Sequence, residues 1–249
     1  MAKNQGIIRL RGSIDGVTYT EGVNGKLSRS RSSLNKAKMD SNPKFHNLRM
    51  AQEELSSYSK YGALLRSGIR SELAMIKPYM GTRRLNKILN ALKNEDLIHR
   101  LGQRTVASGL TTPKGLGMLH YFDFYGKKNV NQLVTKEFVV DFAVGEALIR
   151  NFNPLYDLIA PRHATHVGFK AIYMGLDFDR LMVSSERSDQ VYLPLEDVAA
   201  DLSLKTTDLP SITENTFFLV QVVFYKELNG FRELEAVDEA ALTIIALKA

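Results

Sequence analysis

The sequence predicts an α+β protein: an N-terminal β-hairpin and antiparallel helix pair, followed by an antiparallel β-sandwich of immunoglobulin-like architecture. Apolar and polar residues alternate around Asp15-Gly16 near the N-terminus. From Phe45 to Leu92 the apolar residues recur at three- and four-residue steps, and beyond residue 118 alternation returns in seven short runs. The expected division is 1–42 for the hairpin and a basic arm, 43–110 for the helices and 111–249 for the sandwich.

Within Gly6–Arg31, Asp15-Gly16 suits the positive φ of a tight hairpin turn. So small a ribbon buries too little apolar surface to stand alone, and it must dock on the rest of its own chain or on a neighbour. Residues 28–44, SRSRSSLNKAKMDSNPK, are Ser-rich and basic and read as a linker or extended arm. Asp40, Ser41 and Asn42 then precede Pro43, a helix-start cluster. Phe45, Leu48, Leu55, Tyr58, Leu65, Ile69, Leu73 and Ile76 form the stripe of the first helix. Gly62 and Gly68 mark close packing or a break, and Pro78 and Gly81 end it. A second helix starts at Thr82 with Leu85, Ile88, Leu89 and Leu92 inward and Arg83, Arg84, Lys87 and Lys93 outward. It is expected to continue, with a break near Asn94, to Leu101 or Val106.

Residues 107–118, with three glycines and a proline, read as a boundary. The expected strands beyond it are Lys136–Ala143, His166–Asp177, Leu181–Ser185, Gln190–Pro194, Phe217–Leu228, Phe231–Ala236 and Leu242–Ala246. Asn229-Gly230 marks a hairpin. The acidic segment Glu196–Thr213 reads as a long connection between sheets.

The net charge of +6 is unevenly spread. Residues 1–114 carry 21 Lys and Arg against 8 Asp and Glu, whereas 115–249 carry 12 against 19. One half attracts polyanions and the other repels them, a polarity that also suits head-to-tail self-association. Absence of Cys excludes disulfides, thiolate metal sites and a cysteine nucleophile. No apolar run reaches the roughly 18 residues of a membrane span, and the N-terminus has no apolar core of a secretory signal. The expected location is the cytoplasm, or a particle assembled there.

In the N-terminal half, Gly6-Ile-Ile-x-Leu-x-Gly-x-Ile-x-Gly16, Tyr19, Gly25-x-Leu-x-Arg29 and Asn42-Pro43-x-Phe45 precede Arg49 and Lys60-Tyr61-Gly62-x-Leu64-Leu65-Arg66. With Gly102-Gln103-Arg104-x-Val106, this pattern resembles a family of basic Bacteroidota proteins without an assigned activity. The resemblance implies a non-enzymatic architecture.

Catalytic and metal constellations find little support. His163-x-x-His166 enters a strand without the same-face spacing of helical ligands or a neighbouring carboxylate. Asp177-Phe178-Asp179 reads as a strand end turning into solvent at Arg180, and Gly115-Leu116-Gly117 lacks the rest of a phosphate loop. No cofactor and no small-molecule substrate is expected. The expected contacts to subunits or to a polyanion are Arg9, Arg11, Lys26, Arg29, Arg31, Lys36 and Lys38. The leading expectation is a homo-oligomeric structural protein of a virion-like or cellular particle or filament. The alternative is a nucleic-acid-binding protein that grips phosphates through those cations.

Overall fold

The computed structural model describes residues 2–3, 11–22, 25–30, 36–235 and 237–248. It divides into two compact units, Met1–Met50 and Ala51–Ala249.

The first unit holds four short strands, β1 (Ala2–Lys3), β2 (Gly12–Ile14), β3 (Val17–Gly22) and β4 (Gly25–Ser30). They form an antiparallel sheet in the order β1-β4-β3-β2. Asp15 and Gly16 join β2 to β3 with φ of 46° and 76°, the left-handed conformation that the dipeptide predicts. The expected arm at 28–44 is not extended throughout. Residues 28–30 complete β4, and Lys36–Ser41 fold as helix α1. Asn42 accepts a hydrogen bond from the Lys44 amide at 3.0 Å and opens a 3₁₀ turn at Pro43–Phe45. That turn leads into α2 (His46–Gly68), whose Arg49 donates to the carbonyls of Met39 and Asn42 at 2.6 and 3.1 Å.

In the second unit α2 runs on to Gly68, and α3 (Arg70–Met75), α4 (Gly81–Lys93), α5 (Val106–Leu110), α6 (Pro113–Leu119) and α7 (Val130–Leu133) follow. The strands are β5 (Val139–Asp141), β6 (Glu146–Phe152), β7 (His166–Asp177), β8 (Met182–Arg187), β9 (Val191–Pro194), β10 (Ala200–Lys205), β11 (Asn215–Leu228), β12 (Phe231–Glu235) and β13 (Ala241–Lys248). β7 and β11 pair along eleven residues at the centre of the large sheet. Along the far side of β11, β12 and β13 lie end to end; β8 and β9 do the same beside β7. A second sheet has the order β10-β6-β5.

Alternation along β7 and β11 sends side chains to two cores. Ile172, Met174, Phe217, Leu219 and Val223 pack with Leu65, Ile69, Leu85, Leu89 and Leu92 from the helices. Phe169, Ala171, Phe218, Val220 and Phe224 pack with Ala147, Ile149, Phe152, Leu202 and Leu204 from the small sheet. The mixed α+β class therefore holds. The immunoglobulin-like sandwich is not confirmed: the sheets are not closed, and helices cover the second face of the large one.

Several elements differ from expectation. Leu48 and Leu55 are 43% and 46% exposed, while Glu54 is buried, so the predicted stripe departs in the first half of α2 and holds from Tyr58 through Gly62 and Leu65 to Ile69 and Ile76. Lys93, expected outside, is also buried. The break near Gly68 is present: Ile69 leaves helical geometry, and a Cβ on Gly68 would lie 2.4 Å from Met174 Sδ. The second helix begins at Gly81 and stops at Lys93. Residues 107–118 contribute to α5 and α6, whose starts are capped by Thr105 and Thr112 side chains. β6 lies outside the expected strands, and the predicted connection Glu196–Thr213 contains β10, paired antiparallel with β6 through a register shift between Ala200 and Leu202.

The outer edge of β13 is covered. Tyr121 and Phe124 amides donate to Ile244 and Leu242 carbonyls at 2.9 and 2.8 Å, and the Ile244 amide donates to Phe122. Among the described residues, no helix is long and apolar enough to cross a membrane.

Candidate functional site

Of the seven nominated cations, Arg9 and Arg31 lie outside the described residues. Arg11 sits 3.9 Å from Glu21, both well exposed, a pairing worth little in water. Lys26 is the register partner of Glu21, and Arg29 that of Thr18. Lys26 and Arg29, three residues apart on one strand, therefore point to opposite faces. Lys36 and Lys38 belong to α1. The described cations are thus not gathered on one face of the sheet.

One face carries Ile14, Val17 and Tyr19. No described residue from 11 to 50 is buried. Among its described residues the sheet is joined by main-chain pairing and by small polar contacts such as Ser13 Oγ to Thr18 Oγ1 at 2.9 Å.

The second unit contains buried carboxylates, and those of Glu54 and Glu72 have cationic partners distant in sequence. Glu54 accepts from Lys93, from Arg104 Nε and Nη2 at 2.9 and 3.0 Å, and from the Gly102 amide at 2.7 Å. Burial alone would raise its pKa, but these hydrogen bonds hold it at about 2. Glu72 accepts from Lys170, Arg187 and Ser71; burial is again outweighed, and its carboxyl is held at about 2. Asp96 accepts the amides of Ile98, His99 and Thr105 and the His99 ring, which carry it well below the usual carboxylate range against the effect of burial.

Asp123 behaves in the opposite way. Burial pushes it up to about 6, although Gly126, Leu242 and Thr243 donate to it and Arg84 lies near. It borders a cleft of about 280 Å³ lined also by Arg84, His120, Lys127, Lys128 and Asn129. A perturbed carboxyl in a cleft invites a catalytic reading. Its oxygens, however, are engaged by the loop amide at Gly126 and by β13, so it staples residues 121–126 to that strand. Lys127 and Lys128 are paired with Asp238 and Glu239.

These shifts set a pH profile. Glu54 and Glu72 stabilise the fold fully above their ordinary value of 4.5 and lose that contribution as pH falls through about 2. Asp123 retains its proton in the native state up to about 6, so its contribution declines as pH rises from about 4 to 6. Denaturant titrations should give maximal stability near pH 5, and Asp123→Asn should flatten the decline above it. A rise in stability continuing to pH 7 would contradict the assignment.

His166 is 3.4 Å from Glu227 and meets Thr165 Oγ1 at 3.0 Å. Among the described residues, no group of three or more His, Cys, Asp or Glu is placed to hold a metal. Asp177 closes a turn by accepting the amides of Asp179 and Arg180 at 2.9 Å, while Phe178 packs edge-on against Tyr61.

No protein-family model, curated protein or solved structure matches the chain. The resemblance to the Bacteroidota family therefore rests on the short motifs alone.

Proposed function

We propose that the protein is a non-enzymatic assembly subunit that self-associates into a particle or filament through its N-terminal β-ribbon. The observation that carries this reading is the N-terminal sheet, in which no described side chain from 11 to 50 is buried and which presents Ile14, Val17 and Tyr19 on one face. A sheet without a core gains stability when another surface covers it. Lending such a ribbon to a neighbour supplies main-chain hydrogen bonds and covers those apolar residues together. The homo-oligomer is assembled in the cytoplasm. The alternative, phosphate binding by Arg29, Lys36 and Lys38, is disfavoured by cations on opposite faces and by Glu21 beside Arg11 and Lys26.

Deleting residues 1–31 is expected to leave far-UV circular dichroism characteristic of a folded protein while removing the assemblies seen by negative-stain microscopy. Full-length protein that stays monomeric by light scattering across a wide concentration range would end this reading. Salt-sensitive binding of duplex DNA, lost on changing Arg29, Arg31, Lys36 and Lys38 to Glu, would transfer the role to nucleic acid.

A further inference from the structure

The loop between α4 and α5 combines firm anchoring with an apolar tip. Glu54 fixes its far end through Gly102 and Arg104, and Asp96 fixes its near end through Ile98, His99 and Thr105. What this framework presents is Leu97 at 88% exposure and Ile98 at 80%, with exposed Arg100 and Leu101 beside them. No other large apolar residue among those described is so exposed. Holding such a tip in one conformation lowers the ordering cost of binding, as expected of an interface anchor.

The same unit carries a surface of matching character and opposite charge. Tyr156, which donates to Asp197, and the adjoining Val198 are exposed there. Asn153 Nδ2 donates to Asp197 at 2.7 Å and Tyr156 Oη at 3.3 Å, which holds the two segments together. Exposed Glu196 and Asp201 extend the acidic rim, with Asp201 accepting the Asn151 amide at 2.7 Å.

We infer that the Leu97–Ile98–Arg100 tip of one copy docks on the Tyr156–Val198–Asp197 surface of a second copy of this chain. Apolar tip meets apolar floor, and the basic flank meets the acidic rim. Because the two surfaces differ, the contact is head-to-tail and repeats along an open chain unless the rotation closes a ring. The inference deepens the assembly reading and rests on it for self-association, but uses surfaces outside the N-terminal ribbon.

The test is sedimentation velocity on the full chain over a concentration series. Leu97→Asp, Arg100→Glu and Asp197→Lys should each weaken self-association by about tenfold or more. Combining Arg100→Glu with Asp197→Lys in one chain should restore much of it, because every contact then pairs reversed charges. Single variants that weaken association without rescue would overturn the pairing of these two surfaces. Association unchanged by all of them but lost on deleting 1–31 would overturn this inference and leave the ribbon reading standing. Association that survives the deletion but fails in the tip variants would do the reverse. A monomeric wild type would remove both. Binding to phosphatidylserine vesicles that Leu97→Asp abolishes, with self-association intact, would assign the tip to a membrane surface and overturn the contact.

Discussion

Glu72→Ala is expected to destabilise the fold by about 3 kcal/mol, measured by urea unfolding. The carboxylate is almost wholly buried and ties three elements together: α3, which carries it, β7 through Lys170 at 3.1 Å, and β8 through Arg187 Nε at 3.0 Å. Arg187 also donates to the Gly68 carbonyl at 2.9 Å, closing the same junction at the end of α2. Alanine leaves two cations facing one another without their shared counter-ion. Both retain some solvent, which places the loss near the lower end of the range for broken buried pairs. Against a typical total of 5–15 kcal/mol, that is a large fraction of the stability. Glu72→Gln should cost less, because it retains hydrogen-bonding capacity. A Glu72→Ala protein within about 1 kcal/mol of wild type would show that the junction is held by packing alone.

Gly115→Ala is expected to lower stability by about 2–3 kcal/mol, or about 4–12 °C in melting temperature. A Cβ there would lie 2.0 Å from the Gly109 carbonyl oxygen and 2.8 Å from Leu92 Cδ1. The nearest obstacle is backbone, so relief requires moving α6 away from α5. Gly109→Ala meets the Leu92 carbonyl oxygen at 2.2 Å, at the adjoining contact of α5 with α4; because both clashes involve Gly109 and Leu92, the two costs should not simply add. Gly117 lies on the same short helix with nothing within 4 Å of its Cβ position. Gly117→Ala should therefore raise stability, by up to about 1 kcal/mol through helix propensity. Equal effects at 115 and 117 in calorimetry would refute the close-approach argument.

The legible parts of the fold were those in which local chemistry and tertiary context agree. His166–Asp177 was predicted with its observed bounds because its side chains serve two apolar cores. Asp15-Gly16 and Asn229-Gly230 were readable because their turns require positive φ. Within 107–118 the glycines also have a packing role: Gly109 and Gly115 permit close helix contacts, while Thr105 and Thr112 start those helices. The connection expected at 196–213 contains β10, whose alternation rests on only two apolar positions, Leu202 and Leu204, inside an acidic stretch, too short a signal to stand out. Glu54 and Glu72 lay beyond sequence reading for a different reason. Their cations stand 39 to 115 residues away, and a Glu on a helix is ordinarily a solvent-facing residue. The candidate interface was only partly legible. The cations were nominated by composition, but strand register, which places Lys26 and Arg29 on opposite faces, emerged with the fold.

The order of elements along the chain also sets a timetable for synthesis. Helices α2 to α6 leave the ribosome well before β7, β11 and β13, the strands on which their apolar stripes pack. His120 must wait 125 residues for its partner carbonyl at Ile245. At ordinary elongation rates that interval is roughly 6 to 25 s. During it the nascent helices display the leucines that later form one core, and those stripes stay uncovered until β13 is made.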